Sequence, residues 1–150
     1  MEKVSIVIPC FNSERWIGEA IQSCLDQTYR PIEVIVVDDG STDKSLNRIM
    51  SYARTYPDIV RCVPSANGGP SEARNRGLES VSGAYIQYID ADDLLVPEKL
   101  ATQVRYLESN PNVDVVYGDW RYLIQDGAQS SRLSDVCVMT AMEDPLEAHL

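Results

Sequence analysis

The sequence predicts an α/β fold in which a mostly parallel sheet carries helices on both faces. Short runs of β-branched and aliphatic residues alternate along the chain with stretches that have apolar residues at helical spacing. The second of these runs is apolar at every position, which is typical of a strand buried on both faces of a parallel sheet. No internal repeat or linker interrupts the alternation, so the pattern indicates consecutive βαβ units.

Five runs of strand type follow one another along the chain. They cover residues 4–9, 34–37, 59–63, 84–89 and 113–117. A weaker pattern at 121–124, followed by a turn at Asp126 and Gly127, predicts a terminal hairpin.

A helix is predicted after each of the first four strands. Asn12 or Ser13 is the predicted cap of the first helix. The third helix begins at Pro70, which suits a first helical position, and ends at Gly83. The fourth helix begins at Pro97. The apolar positions expected to face inward are Ile17, Ala20, Ile21, Cys24, Leu25, Leu46, Ile49, Met50, Ala53, Ala73, Leu78, Val81, Leu100, Val104 and Leu107.

The charge and the apolar content limit the kinds of partner. The chain has a formal net charge of −10, which argues against nucleic acid or an anionic membrane surface as the main partner. No stretch approaches the roughly 20 apolar residues that span a bilayer, and the N-terminus has no basic-then-apolar signal peptide. We therefore expect a cytosolic protein with no membrane span in this segment, acting in the cytosol or at the cytoplasmic face of a membrane.

The cysteines and the histidine offer no zinc site. Cys10, Cys24, Cys62 and Cys137 are far apart and form no C-x-x-C pair, so they are expected to be small buried residues. The single histidine, His149, excludes a metal site built from several histidines.

The most informative segment is the acidic turn, residues 90–93, which follows the fourth strand. Asp90, Asp92 and Asp93 place three carboxylates within four residues. In an acidic protein such a cluster repels itself unless a cation binds there. Mg²⁺ and Mn²⁺ prefer oxygen ligands and usually bridge to substrate phosphates. The alternative interpretation is a simple turn or helix cap.

Polar loops follow each of the first four strands, at the edge of the sheet where the strands have their carboxyl ends. They are residues 9–13, 38–43, 66–70 and 90–93. Open α/β sheets bind ligands at this edge, so the four loops predict one crevice. The glycine-rich phosphate loops of dehydrogenases and P-loop proteins are absent from the sequence.

Several side chains in these loops have the chemistry to hold a nucleotide. The segment from Pro9 to Asn12 offers an apolar ring and an amide, and Asp38 and Asp39 could accept a base N–H or a ribose hydroxyl. Arg74, one turn into the third helix, could pair with a diphosphate or orient the acidic turn. The alternatives are a turn with a helix cap for the aspartates and a solvated helix face for the arginine.

A series of motifs in order resembles the N-terminal, donor-binding half of family-2 glycosyltransferases, which have the Rossmann-like GT-A fold. The resemblance covers roughly residues 3–120 and rests on the segments Val4–Asn12, Ser23–Tyr29, Glu33–Asp43, Asn67–Gly77 and Gly83–Asp93. It implies a nucleotide-sugar donor, most often a UDP-sugar, and transfer of the sugar with inversion.

The resemblance also implies roles for individual residues. Pro9, Phe11 and Asp39 match positions that hold the nucleoside, with Asn12 and Asp38 beside them. Arg74 matches an arginine near the base and the diphosphate. Asp90, Ala91 and Asp92 match the D-x-D motif, in which the first Asp reaches the ribose and the last binds Mn²⁺ or Mg²⁺. The metal would act as a Lewis acid on the leaving UDP. Asp93 matches no ligand position and is expected to support or cap the turn.

An inverting transferase also needs a carboxylate base at the acceptor, a carbohydrate or lipid-linked molecule. In the family this base lies well beyond the D-x-D, so we expect it beyond Leu150. Residues 1–150 would then be a single domain truncated on its acceptor side, with little transfer activity of its own. Glu143 and Asp144 form an acidic pair without a surrounding family motif, so the base is not assigned to them.

Three other functions share parts of this pattern. A sugar nucleotidyltransferase would carry a glycine-rich, basic loop after the first strand, and residues 9–13 have neither feature. A phosphatase of the D-x-D type usually has that motif after its first strand. A module that binds a nucleotide sugar without transferring it remains open for these 150 residues.

Overall fold

A computed structural model describes residues 1–118, 123–126 and 130–133 of the chain. Its strands are β1 (Val4–Cys10), β2 (Ile32–Asp38), β3 (Val60–Pro64), β4 (Tyr85–Tyr88), β5 (Leu123–Asp126) and β6 (Ser130–Leu133). Its helices are α1 (Ile17–Leu25), α2 (Ser45–Thr55), α3 (Pro70–Leu78) and α4 (Lys99–Ser109). By its internal contacts the chain divides into two units, Met1–Ala101 and Thr102–Leu150.

The first unit contains a four-stranded parallel sheet in the order β3-β2-β1-β4. In the register, Val4 is paired with Ile32 on one side and with Tyr85 on the other. The two central strands are almost wholly buried, which explains why their sequences are apolar at nearly every position. Because all four strands run in the same direction, the loops that follow them meet at one edge, as the sequence predicts.

Helices cover both faces of this sheet. Successive side chains of a strand point to opposite faces, and two residues of β1 show which helix lies on each. A Cβ atom added at Gly77 of α3 would come closer than 3.0 Å to Val7, so only a glycine lets α3 approach the sheet this closely. Cys10 is three positions after Val7 and therefore points to the other face of the sheet. There it lies within hydrogen-bond reach of Ser45 at the start of α2. The predicted α/β fold is therefore confirmed.

Helix α3 ends earlier than predicted. It stops at Leu78 rather than at Gly83, and Leu78 is exposed instead of facing inward. The residues beyond it are held by the sheet, because Glu33 accepts hydrogen bonds from the backbone and hydroxyl of Ser82 at 2.7 and 2.8 Å. A Cβ on Gly83 would lie 2.5 Å from the carbonyl oxygen of Lys3. These long-range contacts favour a turn over further helix.

The predicted cap of α1 is also wrong. The helix begins after Trp16, which makes no side-chain cap. The Ser13 backbone carbonyl accepts bonds from the amides of Trp16 and Ile17, and its hydroxyl donates to Phe11. Asn12 uses its side chain on the neighbouring loop instead, as described below.

In the second unit, the predicted strand at 113–117 is not observed. Residues 113–118 have no regular secondary structure, and Val115 and Tyr117 are exposed. A β-branched run forms a strand only when a neighbour completes its hydrogen bonds, and none of the described strands pairs with it.

Strands β5 and β6 pair antiparallel, with Leu123 opposite Leu133, so the predicted hairpin is observed, but Asp126 ends β5 and pairs with Ser130 instead of forming the turn. The predicted turn residue Gly127, and also Cys137, Glu143, Asp144 and His149, lie outside the described residues. Among the helices that the structure describes, none is long and apolar enough to cross a membrane.

Candidate functional site

A pocket of about 480 Å³ opens at the carboxyl edge of the parallel sheet. It collects side chains from the ends of β1, β2 and β4 and from the first turns of α3. The predicted site residues that line it are Pro9, Phe11, Asp39, Arg74, Asp90, Ala91 and Asp92. Asn12 and Asp38 lie beside the pocket without lining it. Residues from four loops, widely spaced in the sequence, therefore meet in one place.

The end of β1 provides an apolar wall. Phe11 is 48% exposed at the pocket, although a large aromatic residue is usually buried. Its neighbour Cys10 is buried, and burial raises the pKa of the Cys10 thiol to about 11. The thiol is therefore protonated near neutral pH, and Cys10 contributes shape rather than a nucleophile.

Asp39 is a fixed carboxylate in the wall of the pocket. It is 2% exposed, its Oδ1 accepts the Gly68 amide at 2.8 Å and its Oδ2 accepts the Gly69 amide at 2.8 Å. The Ser65 hydroxyl donates to Oδ1 at 3.3 Å. Because a carboxylate offers about four acceptor positions, one remains for a ligand.

Asn12 and Asp38 shape the loops around the pocket. Asn12 has a positive φ of 47°, and its Oδ1 accepts the amides of Thr42 and Asp43 at 2.8 and 3.4 Å. Asn12 thus fastens the loop after β1 to the loop after β2. Asp38 is buried, and its Oδ2 accepts the Ser41 amide at 3.3 Å, which is the turn-type bond named above as the alternative to ligand binding.

The acidic turn contains three carboxylates, and one cationic side chain, Arg74, lies among the residues that line the pocket. Arg74 pairs with Asp90 through Nη2 and Oδ1 at 2.6 Å, and both side chains are partly exposed. Partial burial raises the pKa of Asp93, and the negative charges of Asp92 and Asp90 raise it further. The turn therefore has a local excess of negative charge that the single arginine does not remove.

The residues of this turn fit a divalent cation completed by its ligand. Within the described residues, no group of three or more His, Cys, Asp or Glu side chains is arranged to hold a metal alone. Mg²⁺ is usually held by one or two carboxylates together with substrate phosphates and water. Asp92 lines the pocket and is exposed, so it can supply such a carboxylate, with Asp93 next to it.

The sequence prediction gave no individual role to some residues that line the pocket. They are Cys10, Ser13, Asn67, Gly69, Pro70 and Ala73. The Gly-Pro step at 69–70 was a usable signal, because Gly69 has a φ of 89° and Pro70 occupies the first position of α3. Most of the others contribute backbone or small side chains, which carry no chemical signature in a sequence.

Comparison with known proteins identifies the family. The family model for glycosyl transferase family 2 matches residues 5–144. The chain belongs to this family. It is 36% identical over 129 residues to an uncharacterised glycosyltransferase of Haemophilus influenzae, an alignment covering 86% of this chain and 51% of the relative. It is 38% identical over 119 residues to an uncharacterised glycosyltransferase of Escherichia coli, covering 79% and 34%.

Solved structures share the fold. TarS of S. aureus (residues 1–349), in complex with UDP-GlcNAc, matches with a TM-score of 0.63 and 30% identity over 73% of this chain and 32% of that one. The mannosyltransferase PcManGT of Pyrobaculum calidifontis, in complex with GDP-Man and Mn²⁺, matches with a TM-score of 0.69 and 30% identity, over 75% and 34%. The resemblance to GT-A glycosyltransferases is confirmed, and this chain spans about half or less of the length of the relatives and structures named above.

Proposed function

We propose that this chain is the donor-binding part of an inverting glycosyltransferase. It would hold the nucleoside diphosphate of a nucleotide sugar, with a UDP-sugar as the proposed donor, in the pocket, with Mn²⁺ or Mg²⁺ at Asp92. The observation that carries the proposal is the convergence of an exposed aromatic ring, a fixed carboxylate, an arginine and the acidic turn in one pocket. The complexes of TarS with UDP-GlcNAc and of PcManGT with GDP-Man and Mn²⁺ support it.

The proposed nucleoside site lies between Phe11 and Asp39. The exposed ring of Phe11 offers a face on which a base can stack. The remaining acceptor position of Asp39 can receive a base N–H, and its carboxylate is already held by two backbone amides, so little ordering is needed on binding. Uracil and guanine both carry an N–H donor on the edge used in base pairing, so this contact allows either base.

The proposed diphosphate site follows from the charges of the pocket wall. Asp39, Asp90 and Asp92 contribute negative charge, and Arg74 alone contributes positive charge. A diphosphate entering this wall would be repelled unless a cation enters with it. We therefore expect nucleotide binding to depend on a divalent metal.

Asp92 would hold that metal, and Arg74 would lie near the diphosphate. A divalent cation bound there supplies Lewis-acid stabilisation of the charge that develops on the leaving diphosphate. Asp90, held in place by Arg74, is suited to accept a ribose hydroxyl. Inversion, a base beyond Leu150, an acceptor of the carbohydrate or lipid-linked class and a cytosolic location stay predictions of the sequence.

Isothermal titration calorimetry tests the proposal. UDP, GDP, UMP and uridine are titrated into the chain with Mn²⁺, with Mg²⁺ and with excess chelator. We expect UDP or GDP to bind more tightly with metal, and uridine to show no metal dependence, because it lacks the diphosphate. If neither UDP nor GDP binds more tightly with metal than with chelator, the metal role of Asp92 is contradicted.

A second measurement separates a transferase from a binding module. Release of UDP from a donor panel is followed with candidate acceptors, using both this chain and the same chain extended beyond Leu150. Acceptor-dependent release by the extended chain alone would support the predicted position of the base. Equal turnover by both chains would place the base within residues 1–150.

A further inference from the structure

The C-terminal end of α1 and the residues directly after it hold the segment that follows the acidic turn. The Ser23 hydroxyl accepts the backbone amide of Leu95 at 3.1 Å. Thr28 donates to the carbonyl of Pro97 through its backbone amide at 2.9 Å and through its hydroxyl at 3.2 Å. Both residues belong to the Ser23–Tyr29 motif, to which the proposed function assigns no role.

Gln27 is the central residue of this contact. Its Nε2 donates to the carbonyl of Val96 at 2.8 Å, and its Oε1 accepts the amide of Leu100 at 3.1 Å. Leu100 lies in the first turn of α4, where backbone amides have no partner within the helix. Gln27 therefore caps α4 from a position 73 residues earlier in the chain.

The geometry of this contact is specific because Gln27 is buried. The residue is 3% exposed, and a buried amide that lost its partners would be costly. Its Nε2 also donates to the carbonyl of Ser23 in α1 at 3.1 Å, which fixes the rotamer of the Gln27 side chain. Helix α1 is itself anchored by a buried apolar face, so Gln27 extends from a fixed platform.

The acidic turn lies between two anchors. On one side, the Ile89 amide donates to the carbonyl of Val7 at 3.1 Å, which ties the chain to β1. On the other side, Leu95 is buried and its amide is held by Ser23. Only residues 90–94 lie between these anchors, and three of them are aspartates that repel one another. Without the second anchor, this repulsion would displace the turn.

We propose that Gln27 is a positioning residue for the metal site, because it fixes the chain at Val96, next to the Leu95 anchor that ends the acidic turn, and so holds the Asp92 carboxylate towards the pocket. The inference rests on the proposed function. It predicts that loss of Gln27 weakens binding of the metal with its diphosphate but leaves binding of the nucleoside alone intact, since Phe11 and Asp39 lie on other loops.

The test compares Gln27→Met with Gln22→Met. Gln22 lies in α1, and its side chain donates to Asp26, the exposed residue that follows the helix, so this control removes an amide without touching the acidic turn. Ser23→Ala is a second, milder variant that removes only the acceptor of the Leu95 amide. For each protein, calorimetry gives the affinity for uridine and the gain in UDP affinity on adding Mn²⁺. Hydrogen exchange of residues 89–100 is followed in parallel.

Loss of a residue that orients a metal ligand typically weakens metal binding about 10–100-fold. We expect the Mn²⁺-dependent gain to fall by about tenfold or more in Gln27→Met, and by less in Ser23→Ala. Uridine affinity should change by less than about twofold, which is under 0.5 kcal/mol. Exchange in 89–100 should accelerate in both variants but not in Gln22→Met.

If the wild type binds UDP more tightly with Mn²⁺, the proposed function stands, and two results would then overturn only the inference about Gln27. One is an unchanged Mn²⁺-dependent gain in UDP affinity in Gln27→Met. The other is a parallel loss of uridine affinity, which would show a general structural role. If Gln27→Met fails to fold, Ser23→Ala decides between these results. A wild type with no Mn²⁺-dependent gain would overturn the proposed function, and this inference with it.

Discussion

Replacement of Asp39 by asparagine tests the nucleoside site in detail. The carboxylate accepts one backbone amide on each oxygen, both at 2.8 Å. Asparagine keeps the shape but has one oxygen, so its NH₂ group would face either the Gly68 or the Gly69 amide. One bond to a charged acceptor, worth about 1.5–3 kcal/mol, is therefore lost.

The loss should lie in the lower part of that energy range, because the two glycines that donate to Asp39 are not fully buried. Gly68 is exposed and Gly69 is half-buried, so water can replace part of the missing bond. We expect the free energy of unfolding of Asp39→Asn to fall by about 1.5 kcal/mol. For a chain of this size, the Tm would fall by roughly 3–6 °C.

The same change should weaken nucleoside binding. If the free acceptor position of Asp39 receives the base N–H, loss of the charge should lower uridine or guanosine affinity by about tenfold, or 1.4 kcal/mol. Urea unfolding and calorimetry give the two quantities. Asp58→Asn, in an exposed turn, is the matched control and should change neither. A destabilised variant with unchanged nucleoside affinity would limit Asp39 to holding the Gly68–Gly69 loop and refute its proposed contact with the base.

Three further predictions concern stability. Gly77→Ala should destabilise the chain by about 1–3 kcal/mol in urea unfolding, because the new Cβ would overlap Val7; an increase in stability, as alanine usually gives in a helix, would contradict this packing. Burial alone would raise the pKa of Glu33, but hydrogen bonds from serine residues outweigh it and hold the pKa below its ordinary value. The stability that ionised Glu33 provides is therefore complete above the ordinary pKa of 4.5 and is lost as the pH falls through the lower pKa of the folded state. Glu33→Gln should accordingly cost most in urea unfolding near neutral pH and progressively less in acid, whereas a pH-independent difference would exclude ionisation as the cause. Asp93→Asn should raise the Tm of the metal-free chain at neutral pH, because the folded-state pKa of Asp93 is raised and its charge is therefore unfavourable in the folded chain. The gain in Tm should vanish in acid, where Asp93 is protonated. An unchanged Tm at neutral pH would speak against repulsion within the turn.

The sequence predicted those parts of the fold that depend on local patterns. Residues 34–37 of β2 are all apolar because both faces of this strand are covered, and the acidic turn follows β4 at the predicted edge. A run of alternating or continuous apolar residues records burial directly, so these elements were accessible without coordinates.

The parts that the sequence did not predict depend on contacts between distant segments. The run at 113–117 has strand composition, but pairing requires a neighbour that composition does not specify. Asn12 resembles a helix cap locally, whereas its side chain binds amides about 30 residues away. The role of Gln27 at α4 has the same origin, because the partner is 73 residues away. Hydrogen bonds of this range leave no periodic signal.

The central claim is that the pocket binds a nucleoside diphosphate through a divalent metal at Asp92. A crystal structure of the chain with UDP, or GDP if that binds more tightly, and Mn²⁺ tests it most directly, because Mn²⁺ gives an anomalous signal. We expect an anomalous peak at the Asp92 carboxylate, close to the diphosphate, and the base between Phe11 and Asp39. A nucleotide bound elsewhere, or bound in this pocket without a metal at Asp92, would contradict it.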